Sequence, residues 1–271
     1  MKKAIITILL PFLTSLFLHA ATADTIITQS TVMNKKIKAV VVLPDTYNEK
    51  NTYPVVYTLH GYSDDFRAWI KRSSVYKSLA DTYQVILVSP DGENSWYWDS
   101  PINPKSQYET YIAKELVSQI DQRYRTVKNP QGRAITGLSM GGHGALYLAI
   151  KHQDVFGIAG SMSGGVDIRP FPNNWKMKNQ LGVYAQNKQR WEDNTVINMV
   201  GQINPESLKL IIDCGVDDFF YGVNVDLHNK LLKNKIPHDF ISRPGGHTWQ
   251  YWNNAIVYQL LFMHRCFKNG L

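Results

Sequence analysis

Three residues carry the side chains that catalysis through a serine nucleophile requires. Ser139 lies within the stretch Gly-Leu-Ser-Met-Gly, Asp218 follows Cys-Gly-Val-Asp, and His247 follows two consecutive glycines. In such a set the histidine takes the proton of the serine hydroxyl as a base and returns it to the leaving group as an acid. An aspartate that accepts from the other ring nitrogen fixes the tautomer and stabilises the imidazolium. The three residues therefore predict acyl transfer through a covalent intermediate on Ser139.

The residues around Ser139 predict a sharp turn between a strand and a helix. The apolar run 133–136 has the character of a short buried strand, and 144–150 has the alanine and leucine content of a buried helix. Between them, Gly137 and Gly141 remove side chains that would collide in a tight corner. A serine in such a corner holds its hydroxyl clear of the backbone, which is the arrangement of the nucleophile elbow in α/β-hydrolases.

Two main-chain N–H groups are expected to bind the oxyanion that forms during acyl transfer, since an oxyanion hole needs two donors. Met140 directly follows the nucleophile and begins the predicted helix, whose N-terminus carries unpaired N–H groups and the positive end of the helix dipole. The second N–H is assigned to Tyr62, which follows His60 and Gly61 just after an apolar run. Glycine at that point lets the backbone approach the substrate closely.

Other aspartates and histidines of the chain are weaker candidates for these roles. Asp217 remains an alternative to Asp218 as the acid, whereas Asp213 still lies within an apolar strand and is interpreted as a structural acceptor. His60 is interpreted mainly as a structural hydrogen-bonding residue beneath the oxyanion hole. The remaining histidines after the leader lack the chain order and loop context of a base: His143, His152, His228, His238 and His264.

Alternating strands and helices predict the frame in which these residues meet. Apolar runs predict strands near 25–32, 37–43, 54–59, 84–89, 133–136, 156–162, 208–214 and 239–242. Residue spacing and composition predict helices near 66–83, 108–124, 144–150, 223–233 and 255–267. The pattern indicates an α/β fold with a mostly parallel, doubly wound sheet and helices on both faces. Residues 164–205 lack periodicity and are interpreted as a lid-like insertion over the site.

The first 23 residues have the pattern of a secretory signal peptide. Two lysines precede an apolar stretch at 4–18, and an Ala-Thr-Ala sequence that ends at Ala23 forms a small-x-small cleavage site. The apolar stretch is short for a membrane span. We therefore expect export to a periplasm or to the medium, a mature start near Asp24, a single α/β-hydrolase domain over 24–271, and no stable membrane insertion.

Charge and cysteine content argue against several other classes of protein. The formal net charge of +7 falls to +5 when the two lysines of the leader are removed. The remaining cations form nothing larger than pairs, which indicates a solvated surface and no nucleic-acid partner. Cys214 and Cys266 make neither a disulfide framework nor a metal-binding pattern, and whether they pair is left open. No metal and no organic cofactor is expected, and the oligomeric state is left open.

Four sequence motifs, taken in order, are shared with a known family. They are His60-Gly61 followed by Trp69, Gly-Leu-Ser-Met-Gly-Gly-His-Gly-Ala at 137–145, Cys-Gly-Val-Asp-Asp-Phe at 214–219, and Gly-Gly-His-Thr-Trp at 245–249. With them the mature chain resembles the esterase D and antigen 85-like family of α/β-hydrolases. That family includes S-formylglutathione hydrolases, tributyrin-type esterases, antigen 85-like acyltransferases, and feruloyl and acetyl xylan esterases of carbohydrate esterase family 1. The resemblance implies the same roles: Ser139 as nucleophile, Asp218 as acid, His247 as base, Met140 and Tyr62 as oxyanion donors.

The resemblance also indicates where substrate binds. Residues 93–101 are similar to a loop near the active site of tributyrin and cinnamoyl esterases. In all, substrate contacts are predicted for six residues: His60, Gly61, Trp96, Tyr97, Ser163 and Trp249. Ser163 is expected to line the pocket without reacting. Aromatic rings able to pack phenolic rings or sugar faces include, besides these, Trp98, Trp175, Trp191 and Trp252.

The leading functional hypothesis is an exported esterase that releases feruloyl or other hydroxycinnamoyl groups, or acetyl groups, from xylan-type polysaccharide. Its substrate would be a small ester or an acylated oligosaccharide. Alternatives with the same fold are a broad short-chain esterase, an S-formylglutathione hydrolase and an acyltransferase. The formylglutathione enzymes typically have leucine where this chain has Tyr62. Export also argues against an enzyme that depends on cytosolic glutathione. A non-catalytic carbohydrate-binding protein is the alternative of another class, because fold alone does not define function.

Overall fold

The computed structural model describes residues 20–269, and its centre is a sheet of eight strands. The strands are β1 Thr22–Ser30, β2 Lys35–Leu43, β3 Val55–Leu59, β4 Ile86–Pro90, β5 Arg133–Gly137, β6 Ile158–Met162, β7 Lys209–Gly215 and β8 Asp239–Arg243. Their order across the sheet is β1-β2-β4-β3-β5-β6-β7-β8. β2 is antiparallel to β1 and to β4, and every other neighbouring pair is parallel. The predicted fold class is therefore confirmed.

Helices follow most of the parallel strands. They are α1 Ala68–Arg72, α2 Tyr76–Tyr83, α3 Tyr108–Thr110, α4 Val117–Arg123, α5 Met140–Lys151, α6 Lys178–Leu181, α7 Lys188–Asp193, α8 Tyr221–Lys233 and α9 Trp249–Asn269. A π-helical segment, Tyr111–Leu116, joins α3 to α4 without a break. Helix α5 begins directly after the strand–turn sequence that contains the predicted nucleophile, so the predicted strand–turn–helix is present.

Consecutive residues of the central strands alternate between two apolar layers, one on each face of the sheet. In β3, Tyr57 and Leu59 pack in the layer covered by α4, α5 and α8, whereas Val56 packs in the layer covered by α2 and α9. Every residue of β3, β4, β5 and β6 is buried. Burial on both faces is the reason that these strands are nearly continuous apolar runs in the sequence.

Two predicted helices differ from the structure more than the others do. The helix predicted over 66–83 is divided into α1 and α2 because the backbone of Ser73 is extended, with φ −110° and ψ 110°. The closing helix begins well before its predicted start, at Trp249. Thr248 caps its first turn, since the Thr248 hydroxyl accepts from the N–H of Tyr251 at 3.3 Å. The earlier start places the first turn of α9 beside the predicted histidine.

The predicted signal peptide, 1–23, lies mostly outside the described residues. Of its last residues, Ala21 is buried and its N–H donates to the Asp81 carboxylate at 3.1 Å, and β1 begins at Thr22. The expected cleavage after Ala23 therefore falls within the first strand. Among residues 20–269, no helix combines the length and the apolar character needed to cross a membrane.

The connection between β6 and β7, which includes the predicted insertion at 164–205, contains only short helices. These are α6, α7 and two 3-10 helices, Tyr184–Gln186 and Val196–Gln202. Trp191 of α7 is fully buried, and its indole N–H donates to the carbonyl of Gly182 at 3.0 Å. This connection also carries Trp175, which packs against Phe220 beside the ends of the strands.

Neither cysteine forms a disulfide within the described part of the chain. Cys214 is buried on β7, and this burial raises the pKa of its thiol far above the usual range. Burial likewise raises the pKa of Cys266, on α9, to about 11. Both thiols are therefore protonated and unreactive at neutral pH, since the thiolate is the nucleophilic form.

A buried ionic cluster ties α5 to the helical segment that starts at Tyr108. The Glu109 carboxylate accepts from Tyr147 and Lys151 at 2.7 Å each, and from His152 at 3.0 Å. Burial by itself would raise the pKa of Glu109, but the hydrogen bonds from His152, Lys151 and Tyr147 outweigh it and lower the pKa to about 2. A carboxylate with a lowered pKa stabilises the fold above its unfolded-state pKa.

We predict that Glu109→Gln destabilises the protein by about 2 kcal/mol at pH 7, because it leaves Lys151 without its counter-charge. The difference from wild type should shrink as pH falls from about 4.5 toward about 2, since in this range the unfolded chain binds a proton at Glu109 before the folded chain does. Urea unfolding at several pH values measures it. Glu206→Gln, at an exposed carboxylate, is the control. A loss of stability that does not change with pH would contradict a stabilising role for the ionised Glu109.

Candidate active site

Loops that follow four of the parallel strands meet at one edge of the sheet. Leu59 at the end of β3 pairs with Gly137 at the end of β5, so the residues after β3 lie beside the turn after β5. β6, β7 and β8 continue the parallel series on the other side of β5. Because the carboxyl ends of parallel strands share one edge, these loops bring together the predicted serine, acid and histidine.

The backbone of Ser139 is strained and is held by close contacts. Its φ of 56° and ψ of −117° lie in a sparsely populated region, at a cost of about 1–3 kcal/mol. The N–H of Ser139 donates to the carbonyl of Met162 at 2.9 Å. A Cβ on Gly137 would lie 2.5 Å from the main chain of Gly141, and a Cβ on Gly141 would lie 2.4 Å from the carbonyl oxygen of Leu59. Both glycines are therefore required for the turn.

The three predicted residues form one hydrogen-bonded chain. His247 Nε2 lies 2.9 Å from Ser139 Oγ, and His247 Nδ1 lies 2.8 Å from Asp218 Oδ2. A carboxylate only accepts, so Nδ1 carries the proton and the Nε2 lone pair faces the serine hydroxyl. The Asp218 side chain is fully buried, and its second oxygen accepts from the N–H of Phe220 at 2.8 Å. The arrangement can deprotonate the hydroxyl during nucleophilic attack.

The other two aspartates of this region have different partners. Asp217, the alternative acid, is exposed and accepts from the N–H of Gly245 at 3.2 Å. Asp213 is buried and accepts from Arg243 and Tyr251. Burial raises the pKa of Asp213, and those two partners oppose the rise. Among the described residues, neither of these two carboxylates is hydrogen-bonded to His247, so Asp218 is the acid of the chain.

Two main-chain N–H groups lie beside Ser139 without an acceptor. Within residues 20–269, neither the N–H of Met140 nor that of Tyr62 takes part in a hydrogen bond. Gly61 lies against the nucleophile, because a Cβ built on it would be 3.6 Å from Cβ of Ser139. Donors without partners next to a nucleophile can receive the oxygen of a tetrahedral intermediate.

A cavity of about 480 Å³ opens in front of the hydroxyl of Ser139. Its walls combine polar loop residues with large aromatic rings; the largest side chains are Tyr62, Arg72, Trp175, Phe219, Trp249 and Trp252. Phe219 is 53% exposed, and its ring centroid lies 4.2 Å from that of His247. Volumes of this size accommodate small organic ligands, and aromatic walls with few polar groups are typical of binding pockets.

Of the six residues predicted to contact substrate, only Gly61 and Trp249 line this cavity. The prediction for Ser163 is wrong, because its hydroxyl is fully buried and accepts from the indole N–H of Trp252 at 3.1 Å. The prediction for His60 as a substrate contact is also wrong, because its side chain is 1% exposed and is hydrogen-bonded on both ring nitrogens.

Trp96 and Tyr97 are also buried, contrary to the prediction, because their loop turns inward. Both have positive φ, 58° and 62°, which directs consecutive side chains beneath the surface. Trp96 packs edge-on against His143, and Tyr97 packs over Gly144 of the same helix. Burial lowers the pKa of His143 to about 3, so this histidine is a neutral packing residue.

Two large side chains of the cavity wall, Phe219 and Arg72, were not among the predicted substrate contacts. Phe219 directly follows the acid, and the two consecutive phenylalanines after Asp218 are the feature of the sequence that indicates an aromatic wall there. Arg72 pairs with Asp64 at 3.0 Å, and its guanidinium lies 5.5 Å from the ring of Trp249. Its position at the end of a short helix carried no signal. Within the described chain, no cluster of three or more side chains could hold a metal ion.

Comparisons with known proteins agree with this geometry. The chain is 27% identical over 216 residues to an acetyl esterase of Caldicellulosiruptor saccharolyticus, covering 74% of this chain and 80% of that protein. It is 35% identical over 244 residues to the diacylglycerol acyltransferase/mycolyltransferase Ag85A of Mycobacterium leprae, covering 75% and 72%. The solved structure of a ferulic acid esterase superposes with a TM-score of 0.81 at 29% identity, covering 92% and 99%.

The fold and these relatives define the class as serine hydrolases of the α/β-hydrolase fold. Residues 30–263 match the family described as "Putative esterase", which is most of the chain. The chain therefore belongs to this esterase family, and the resemblance to esterase D and antigen 85-like proteins is confirmed.

We predict that Asp218→Asn lowers kcat for p-nitrophenyl acetate by about 10³-fold or more, because an amide in place of the carboxylate favours the wrong histidine tautomer. Asp217→Asn should keep kcat within about threefold of wild type, because Asp217 is exposed and lies outside the hydrogen-bonded chain. Steady-state kinetics on the two variants measures both. Equal losses in the two variants, or a larger loss in Asp217→Asn, would contradict the assignment of the acid.

Proposed function

We propose that the protein is an exported carboxylic ester hydrolase that releases hydroxycinnamoyl or acetyl groups from plant polysaccharide such as xylan. The observation that carries this proposal is the hydrogen-bonded chain of Ser139, His247 and Asp218 at the floor of an aromatic-walled cavity. Ester hydrolysis needs a nucleophile, a base and an oxyanion site, and these groups lie together at one edge of the sheet.

In the proposed reaction, Oγ of Ser139 attacks the ester carbonyl carbon while Nε2 of His247 takes the hydroxyl proton. The N–H groups of Met140 and Tyr62 bind the oxyanion. The bond to the alcohol then breaks, and the alcohol leaves with the proton from His247. Water, deprotonated by the same nitrogen, attacks the acyl group, and the acid leaves as Oγ regains its proton.

The walls of the cavity favour an acyl group with a flat ring. Phe219 stacks on Trp175 with ring centroids 5.9 Å apart and an interplanar angle of 22°. Trp249 stands edge-on to Trp252 within the same cavity. Aromatic side chains contribute large contact areas and prefer offset or edge-to-face arrangements with other rings. A hydroxycinnamoyl ring can enter between these groups, and an acetyl group needs none of them.

A second, polar cleft of about 570 Å³ adjoins the catalytic cavity and shares Ser63 and Asp64 with it. Its lining includes carboxylates, lysines and amides, among them Asn94 and Asn103. Such groups can hydrogen-bond to hydroxyls, so a sugar chain attached to the ester has a polar surface to follow. Support for the substrate class also comes from the relatives, which include an acetyl esterase and a ferulic acid esterase. Export is supported by the leader-like residues 1–23 alone.

Acyl transfer to an alcohol is the second candidate, and the Ag85A relative favours it. The acyl-enzyme on Ser139 would be the same, and a sugar hydroxyl would replace water in the second step. The two functions differ in one product: hydrolysis releases a free acid, and transfer produces a new ester.

We predict turnover of methyl ferulate or of acetylated xylo-oligosaccharides, with loss of at least about 10³-fold in Ser139→Ala, because removal of the nucleophile abolishes the covalent route. The panel should include a short-chain p-nitrophenyl ester, S-formylglutathione and a free sugar acceptor, with product acids and esters separated by chromatography.

Each outcome of that panel decides between the candidates. Dominant turnover of S-formylglutathione would contradict the polysaccharide substrate, and turnover of the p-nitrophenyl ester alone would favour a broad short-chain esterase. New esters on the sugar acceptor would favour acyl transfer. Ligand binding without turnover of any substrate dependent on Ser139 would favour a non-catalytic carbohydrate-binding protein.

We further predict that Phe219→Ala raises KM for methyl ferulate about tenfold, or about 1.4 kcal/mol. The variant removes an aromatic contact worth about 0.5–1.5 kcal/mol beyond its area, together with the area itself. Ethyl acetate has no aromatic ring that could contact Phe219. The same variant should therefore change kcat/KM for ethyl acetate by less than about threefold. Leu232→Ala, at an exposed apolar residue on α8, is the matched control. Equal losses on the aromatic and the acetyl ester would contradict a ring-binding wall.

A further inference from the structure

The peptide unit that presents the N–H of Tyr62 is held at its other end. Its carbonyl oxygen, that of Gly61, lies 2.8 Å from Nδ1 of His60 and accepts from the N–H of Asp64 at 3.2 Å. A peptide unit is planar and trans, so its N–H points opposite to its carbonyl. Contacts that hold the carbonyl of Gly61 therefore also set the direction of the N–H of Tyr62.

The partners of His60 define its tautomer. The N–H of Gly92 donates to Nε2 at 2.8 Å, and a main-chain N–H can only donate. Nε2 is therefore an acceptor, and Nδ1 carries the proton that it donates to the carbonyl of Gly61. Asp91 Oδ1 lies 3.6 Å from Nε2, beyond hydrogen-bond distance. His60 thus works as a neutral donor toward the oxyanion peptide.

Tyr97 holds the preceding peptide unit in the same way. Its hydroxyl donates to the carbonyl of His60 at 3.1 Å, and its ring packs against that of His60 with centroids 6.0 Å apart. The ring fits because Gly92 and Gly144 have no side chains: a Cβ on either glycine would lie 2.3 Å from a ring atom of Tyr97. These contacts hold Trp96 and Tyr97 in the backbone conformation with positive φ that turns their side chains inward.

We propose that His60 and Tyr97 are positioning residues for the oxyanion donor at Tyr62. Neither touches the cavity, so they act through the backbone of Gly61 and not on the substrate. The donor at Nδ1 of His60 orients the peptide unit and polarises it, because hydrogen bonds in a chain strengthen one another. The inference rests on the proposed function, in which this N–H binds the oxyanion.

The first test compares two tyrosines that lose only a hydroxyl. Tyr97→Phe should lower kcat for p-nitrophenyl acetate about tenfold, with KM within about twofold of wild type. The oxyanion forms only in the transition state, so a donor that is held less firmly affects kcat and not the binding of substrate. Tyr111→Phe is the matched control, because Tyr111 is equally buried but its hydroxyl bonds to Thr28, in the first strand. Thermal unfolding of both variants separates loss of stability from loss of kcat.

The second test isolates the donor at Nδ1. His60→Asn can place an amide nitrogen near the position of Nδ1, whereas His60→Leu cannot donate, and both lose the acceptor for Gly92. His60→Leu should lose about 10²-fold in kcat, comparable to removal of one oxyanion donor, and His60→Asn should recover at least about a tenth of wild-type kcat. Equal kcat in the two variants, at equal thermal stability, would overturn the role of the Nδ1 donor.

A readout without turnover keeps this inference separate from the proposed function. Phenylboronic acid forms a tetrahedral adduct with a nucleophilic serine and places an oxygen toward the oxyanion donors, so its Kd should rise in Tyr97→Phe by the same factor as kcat falls. Binding of methyl ferulate to Ser139→Ala should be unchanged when Tyr97→Phe is added. Active wild type with unchanged kcat and boronate affinity in Tyr97→Phe overturns the inference alone. Wild type that binds boronate more tightly than Tyr97→Phe, but turns over no ester, overturns the proposed function alone.

Discussion

The strained backbone of Ser139 is the constraint on which the rest of the structure depends. A residue other than glycine keeps a backbone φ of 56° only where the surrounding structure holds it in place. Here the restraint comes from β6, through the hydrogen bond to Met162, and from the close approach of Gly137 and Gly141 to each other and to the end of β3. Because β3 and β5 are buried on both faces, that approach is set by the packing of the whole sheet.

The same edge of the sheet assembles the remaining groups without a separate device for each. The loops after β7 and β8 bring Asp218 and His247 together, and the loop after β3 brings the N–H of Tyr62 beside the nucleophile. The early start of α9 then adds Trp249 to the cavity. Each of these groups depends on the register of parallel strands, so one misplaced strand would separate the nucleophile from its base.

Much of this arrangement could be predicted because chemistry restricts it. The turn around Ser139 requires particular residue types, and the acid must precede the histidine along the chain. These two conditions limited the candidates for acid and base to Asp218 and His247, with Asp217 as the one alternative acid. Directions of side chains could not be predicted in the same way. Trp96 and Tyr97 are large aromatic residues in a polar loop, and nothing in their types indicates the left-handed turns that bury them. The division of the helix at Ser73 depends on backbone geometry that residue spacing does not report.

Mass spectrometry can detect the acyl group that Ser139 carries during ester hydrolysis. The enzyme would be mixed with an excess of an activated aryl ester, quenched within milliseconds to seconds, and digested to locate any adduct. We predict one added acyl mass on the peptide that contains Ser139, and none in Ser139→Ala. An acyl group on a different residue, or one that persists in Ser139→Ala, would contradict this prediction.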